Sequence, residues 1–163
     1  MKYAAKATII TETHLIITEV MDGDSLKVSS IFKKNEKEIR LYGIDCPENK
    51  YNRKMVEDEK KLHIPSQYLL GLGIQAHKFV LSVAPVGSSV TIQIEKGNEF
   101  DYYKRQLAYV FLPDGTCLNE LIVKNGYAKA TSEYFCEKLQ DYEVLQFKAM
   151  QESQGLFKYL ARL

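Results

Sequence analysis

Apolar residues alternate with polar ones in several short stretches of this chain, and in three others they recur at helical spacing. His14 to Val20 is dense in β-branched and apolar residues and predicts a first strand. The Asp22-Gly23 turn signal separates it from a second, carried by Leu26, Val28 and Ile31. The polar run Lys33 to Lys37 predicts a hairpin loop. In a third strand Ile39 and Leu41 share one face, Arg40 and Tyr42 the other, and Pro47 ends the pairing. Ala76, Phe79, Val80 and Val83 then follow the i, i+3, i+4, i+7 pattern of a buried helix face. Gly71 and Gly73 punctuate the chain before that helix, and Pro85 and Gly87 stop it. Val90, Ile92 and Ile94 alternate as a fourth strand, and Leu107 to Leu112 is a fifth, turned by Pro113-Asp114-Gly115. Leu118, Leu121 and Ile122 form the face of a short helix that Gly126 caps. A final helix runs roughly from Glu137 to Ser153, with Tyr142, Leu145, Ala149 and Met150 inward and Gly155 at its end.

Three strands, a helix, two strands and two helices predict an α+β, mainly β fold: a five-stranded Greek-key barrel of the OB type with three helices. Such barrels commonly bind oligonucleotides, but a fold alone licenses no function. Between the third strand and the first helix lies a charged segment with Lys, Arg, Asp and Glu mixed from Arg53 to Lys61. It reads as an exposed loop at about 49–73, helical in part, with the charges on a solvated face.

At 163 residues the expectation is a single domain, 1–163. No apolar run approaches the roughly 20 residues that span a bilayer, so no membrane partner is expected. The N-terminus lacks the pattern of a secretory leader, since Thr11-Glu12-Thr13 interrupts its apolar stretch. Cys46, Cys117 and Cys136 have no Cys-x-x-Cys spacing, which points to free thiols rather than a disulfide framework or a zinc site and leans weakly toward a reducing compartment. The formal net charge is only +1, so attraction to phosphate has to be local.

The chemistry gathers where apolar strands end. Asp22-Gly23-Asp24-Ser25 and Arg40-Leu41-Tyr42-Gly43-Ile44-Asp45-Cys46-Pro47-Glu48 bring carboxylates and an arginine together, and Asp101-Tyr102-Tyr103-Lys104-Arg105 adds a second guanidinium. Clustered carboxylates need a cation or a hydrogen-bond network to offset repulsion and lost solvation. A hard divalent ion serves through oxygen ligands and leaves a spare carboxylate for proton transfer. Taken alone, Asp-Gly-Asp is more often a plain turn, and Asp45 and Glu48 beside Pro47 a solvated loop; Arg40 among apolar neighbours requires a partner. His14, His63 and His77 have no ligand spacing and receive no role.

These segments, with Leu118-Asn119-Glu120 and Gly126-Tyr127-Ala128, resemble the staphylococcal-nuclease (thermonuclease) family over nearly the whole length, from about Val20 onward. The resemblance implies a calcium-dependent nuclease that hydrolyses phosphodiester bonds of DNA and RNA with little sequence specificity, leaving 3′-phosphate ends. It implies Asp24, Asp45 and the backbone carbonyl of Cys46 as ligands of Ca2+, Glu48 as the residue that activates water, and Arg40 and Arg105 as the pair on the scissile phosphate. On this reading Arg40 belongs to the phosphate rather than to the acids beside it, and Asp22 is only the turn. Tyr103 and Tyr134 resemble positions that pack on a base or sugar, and Lys104 could add a contact. The implied partners are DNA and RNA, single-stranded or frayed, bound by a monomer. Three features depart from the family pattern: the longer stretch after Glu48, Lys104 and Gln106 in place of glycines beside Arg105, and the near-zero net charge. The competing reading is a non-catalytic, SNase-like module that binds nucleic acid or protein.

Overall fold

A computed structural model describes residues 8–163. In chain order the elements are β1 (Ile9–Val20), β2 (Ser25–Ser30), β3 (Lys37–Leu41), β4 (Ile44–Asp45), α1 (Arg53–Leu62), α2 (Ser66–Val83), β5 (Ser89–Glu95), β6 (Gln106–Phe111), α3 (Leu118–Lys124), β7 (Lys129–Ala130) and α4 (Leu139–Gln151), with 3-10 turns at Ser132–Tyr134 and Gly155–Lys158. Five strands close into an OB-fold barrel in the order β1-β2-β3-β6-β5, and β4 pairs with β7 outside it. All the barrel pairings are antiparallel except β3 with β6.

The alternation read from the sequence fills the barrel. Ile17, Leu26, Val28, Ile39, Leu41, Ile92, Ile94 and Val110 are all buried on the inner faces. Ala76 and Val80 of α2 and Ile122 of α3 pack against the same core. Asn119 locks α3 onto the barrel: its Oδ1 accepts from the Val110 N–H at 3.1 Å, and its Nδ2 donates to the carbonyls of Tyr42 and Ala108 at 3.2 and 3.1 Å. The Val110 N–H and the Tyr42 carbonyl thereby find a partner just beyond the end of β3, and the Ala108 carbonyl accepts from Asn119 in addition to the Tyr42 N–H.

Three expectations need correction. β1 begins at Ile9 rather than His14; its first half pairs with β5, and His14 sits at φ 60° where the register shifts between Glu12 and Leu15. A half-exposed strand with a bulge does not announce itself by clean alternation. The expected loop at 49–73 is largely helical, so the described residues hold four α-helices where three were expected. Asn52 caps α1 by accepting from the Met55 N–H at 2.9 Å, and Met55 is the helix's one buried residue, packed with Leu69, Leu72 and Leu156. A single apolar anchor amid charges gives almost no periodic signal.

The third correction concerns Gly71 and Gly73, which lie inside α2 rather than before it. Gly73 is buried because α2 crosses the backbone of Glu48 there: a Cβ at Gly73 would overlap the Glu48 carbonyl and lie 2.8 Å from the Asn49 nitrogen. Gly71 is exposed, and a Cβ there would meet nothing within 4 Å. The two glycines therefore predict opposite results. Gly71→Ala is expected to stabilise the protein by about 0.5–1 kcal/mol through helix propensity. Gly73→Ala is expected to cost about 1–3 kcal/mol from overpacking and to displace Glu48. Urea titrations of both variants check this; two shifts of the same sign would refute the crossing as the reason for Gly73.

Candidate active site

β2 and β3 pair with Ser25 opposite Arg40, and the Leu41 N–H donates to the Asp24 carbonyl at 3.0 Å, so the end of the Asp22 turn lies against Arg40. Asp22 holds that turn: its Oδ1 accepts from the Asp24 N–H at 3.0 Å and from Ser25 Oγ at 2.8 Å. Asp24 is then fastened to the next segment, since its Oδ2 accepts from the Cys46 N–H at 2.8 Å. Pairing of β4 with β7 sets Asp45 opposite Lys129, with Nζ 3.9 Å from Asp45 Oδ2. The Cys46 side chain is buried, and a Cβ built on Gly23 would lie 2.6 Å from its sulfur. The thiol thus belongs to the core, and burial pushes its pKa well above the ordinary value.

Arg40 joins the two aspartates. Its Nη2 lies 3.4 Å from Asp24 Oδ2 and 3.5 Å from Asp45 Oδ1, and its Nη1 donates to the carbonyls of Asp24 and Leu41 at 3.2 Å. The guanidinium carbon sits 3.8 Å over the ring of Tyr134, and the residue is only 2% exposed. Burial opposes its charge, but the Asp24 and Asp45 carboxylates outweigh that and hold its pKa above the ordinary value. Burial raises the Asp24 carboxyl to about 7, with Arg40 acting the other way. Arg40, expected to serve the phosphate, is placed on both acids in this structure, since a buried arginine with two buried carboxylates in reach pairs with them.

Glu48 Oε2 accepts from Asn52 Nδ2 at 3.0 Å. Its segment is pinned from behind by Asn49, whose Nδ2 donates to the Met21 carbonyl at 2.9 Å and lies 3.3 Å from His77 Nδ1. His77 Nε2 in turn lies 2.7 Å from the Val20 carbonyl, which fits an Nε2–H tautomer. His77, expected to have no role, thus holds the loop that carries Glu48.

Arg105 is held by Asp101. Asp101 Oδ2 accepts from Arg105 Nε at 2.7 Å, while its Oδ1 accepts from the N–H groups of Tyr103 and Arg105 at 3.0 and 2.7 Å. Lys104 occupies the left-handed position of this turn at φ 63°, where glycine is the usual residue. A lysine thus meets a backbone demand that favours glycine, and nothing in the structure explains the choice of lysine.

One cleft of about 760 Å³ is lined by Asp24, Arg40, Asp45, Glu48, Tyr103, Arg105 and Tyr134 together. Lys104 is not among its lining residues, and neither is Cys46. The charged segment expected to be a solvated face is part of the wall, through Arg53, Lys54, Glu57, Asp58 and Lys61 of α1. Phe100, Tyr102 and Phe135, all exposed, add an aromatic rim.

The residue that sequence reasoning missed is Lys54. Its Nζ lies 2.8 Å from Asp45 Oδ1, 3.1 Å from Glu48 Oε1, 3.4 Å from the Cys46 carbonyl and 3.6 Å from Asp58 Oδ2. Burial works against its charge, but Asp45 and Glu48 hold its pKa above the ordinary value. The signal was faint: Asn52 three residues before Met55 marks a helix start, which sets Lys54 in a first turn near Glu48.

Among the described residues no group of three or more His, Cys, Asp or Glu side chains is placed to hold a metal. The expected calcium set asks for only two such side chains and a carbonyl. Asp45 and the Cys46 carbonyl already share one cation, the Lys54 ammonium, so the donors are oxygens arranged about a positive charge and suit a hard ion.

The sequence profile described as Staphylococcal nuclease homologue matches residues 38–159, which include Arg40, Asp45, Glu48 and Arg105. The chain is 30% identical over 132 residues to Endonuclease YhcR of Bacillus subtilis (strain 168), a match that covers 80% of this chain and 10% of that protein. It therefore spans about a tenth of that relative's length. It is also 27% identical over 151 residues to a protein of Escherichia coli O157:H7 named Uncharacterized endonuclease, covering 91% of this chain and 80% of that one. A protein of the same name from Escherichia coli matches to the same extent. With the barrel and the cleft as its frame, a family match over residues 38–159 makes this chain a member of the staphylococcal nuclease homologues, a kinship that supports a nuclease-like hydrolytic function.

Proposed function

We propose that the chain is a calcium-dependent nuclease that cleaves phosphodiester bonds of DNA and RNA with little sequence specificity, leaving 3′-phosphate ends. The observation that carries this reading is the single cleft lined by Asp24, Arg40, Asp45, Glu48 and Arg105. Two aspartates and the Cys46 carbonyl would hold calcium, which when bound supplies charge neutralisation at a phosphoryl oxygen. The protein's own groups do the rest. Glu48 takes the proton of the attacking water at a carboxylate oxygen, and Asn52 orients that carboxylate. Arg105, clamped at Nε by Asp101, offers its Nη edge to the phosphate, where a planar fork matches two oxygens. Arg40 holds Asp24 and Asp45 at a fixed spacing and adds positive charge beside the reacting group. Water's oxygen bonds to phosphorus, the P–O5′ bond breaks, and O5′ takes a proton from solvent to leave as a 5′-hydroxyl, while Glu48 returns its proton to solvent.

Exposed Tyr102 and Tyr103 at the rim offer faces for unpaired bases, which favours single-stranded or frayed substrate. The names of the relatives favour internal cleavage. A non-catalytic binding module is the second reading. It is favoured by Lys54, whose ammonium already neutralises Asp45 and Glu48.

Digestion of single-stranded DNA with calcium and then with chelator tests the proposal. Hydrolysis is expected only with calcium, and Glu48→Gln is expected to lower it by about 10²–10⁴-fold with calcium affinity nearly intact. Binding without turnover, indifferent to Glu48→Gln, would favour the module instead.

A further inference from the structure

We propose that Lys54 is a tethered cation that occupies the calcium oxygens in the resting protein, so that calcium binds only by displacing it. The inference rests on the metal reading above and concerns how that site is controlled. The ammonium lies within 3.4 Å of Asp45 Oδ1, Glu48 Oε1 and the Cys46 carbonyl. Two of these three belong to the expected calcium set, and an oxygen lone pair aimed at an ammonium is not available to a divalent ion in the same place.

The lysine is delivered by structure, not by chance of a long side chain. Lys54 is the second residue of α1, a helix capped by Asn52 and anchored by the buried Met55. The same Asn52 bonds Glu48, so the helix start and the proton acceptor move as one unit. Asp58, one turn on, lies 3.6 Å from the ammonium and offers it a second carboxylate. Displacement from Asp45 therefore need not leave the lysine without a partner. It also returns Glu48 to its water, because the ammonium contacts both acids at once. Lys54 thereby sets the calcium concentration at which the site is loaded and couples that loading to release of Glu48.

Calcium titration by calorimetry on the full chain, comparing wild type, Lys54→Met and Lys61→Met, tests this. Lys61 lines the same cleft but forms none of the ion pairs found among the described residues, so its replacement removes one charge without emptying the calcium oxygens. Lys54→Met is expected to bind calcium at least about tenfold more tightly than wild type, and Lys61→Met within about twofold. Equal affinities for wild type and Lys54→Met, or equal gains in the two variants, would overturn the proposal. A second measurement needs no variant: amine-selective labelling of the wild type, read by mass spectrometry. Calcium is expected to raise labelling at Lys54 several-fold; unchanged labelling would count against displacement even if Lys54→Met does not fold. The two readings separate cleanly. Calcium-dependent hydrolysis with no change of affinity in Lys54→Met defeats this inference alone, whereas absence of such hydrolysis in the wild type defeats the proposed function.

Discussion

Arg40→Met is expected to lower the stability of the protein by about 3–5 kcal/mol and to leave no measurable hydrolysis. The magnitude follows from what the guanidinium holds. Arg40 is 2% exposed, pairs with two carboxylates that are themselves buried, and donates to the carbonyls of Asp24 and Leu41. Methionine fills the space but leaves Asp24 facing Asp45 without the charge that joins them. Burial already raises the Asp24 carboxyl to about 7, so the loss of its main counter-charge drives it further toward the neutral acid. The Tyr134 ring loses its cation as well, and with it the contact that ties the 3-10 turn to β3. Urea denaturation measures the loss. Adding Asp24→Asn to the Arg40→Met background should recover part of it, because folding then no longer has to protonate or bury an unpaired carboxylate there. A loss below about 1 kcal/mol would show that the pairs contribute little to folding.

The second large effect lies in rate. Arg105→Lys is expected to reduce kcat on single-stranded DNA by about 10²–10³-fold, with little change in the urea midpoint. Arg105 is half-buried at the cleft rather than sealed in the core, and the buried Asp101 carboxylate it pairs with keeps the Tyr103 and Arg105 backbone N–H donors at Oδ1, so its loss is expected to cost far less stability than that of Arg40. Lysine keeps the charge but loses the planar fork, and it also loses the Nε–H that Asp101 uses to fix the side chain. Asp101→Asn tests the same idea from the other side. It should loosen the clamp and cost less than Arg105→Lys, since the fork survives. Steady-state kinetics that separate kcat from KM decide it; a change in kcat within about threefold for Arg105→Lys would remove Arg105 from the phosphate.

The barrel was largely legible because its signal is local. Val90, Ile92 and Ile94 alternate within one strand, and any reader of period two recovers them. The Asp22-Gly23 turn and the capping Gly126 carry their backbone demands in their own residue types. The stretch from Asn49 to Gln75 was not legible for equally physical reasons. α1 is anchored by one apolar residue, and α2 contains two glycines that read as breakers. Gly73 is there because the Glu48 backbone passes close by, a contact between segments 25 residues apart that no local pattern can carry.

At the site the same division holds. The kinds of chemistry available were written in the residues: carboxylates at two strand ends, one arginine in β3, another after Asp101, tyrosines near both. Which charge neutralises which was not. Arg40 turned out to hold Asp24 and Asp45, and Lys54, from a segment that read as solvated surface, came to rest on Asp45 and Glu48. Coulomb energies depend on separation and burial, and both are set when distant segments pack. Residue order therefore supplied the barrel and the inventory of acids and bases. Only the folded arrangement assigned each cation to its carboxylates, because that assignment is a matter of ångströms and burial set by how turns and helices pack, which spacing along the chain does not fix.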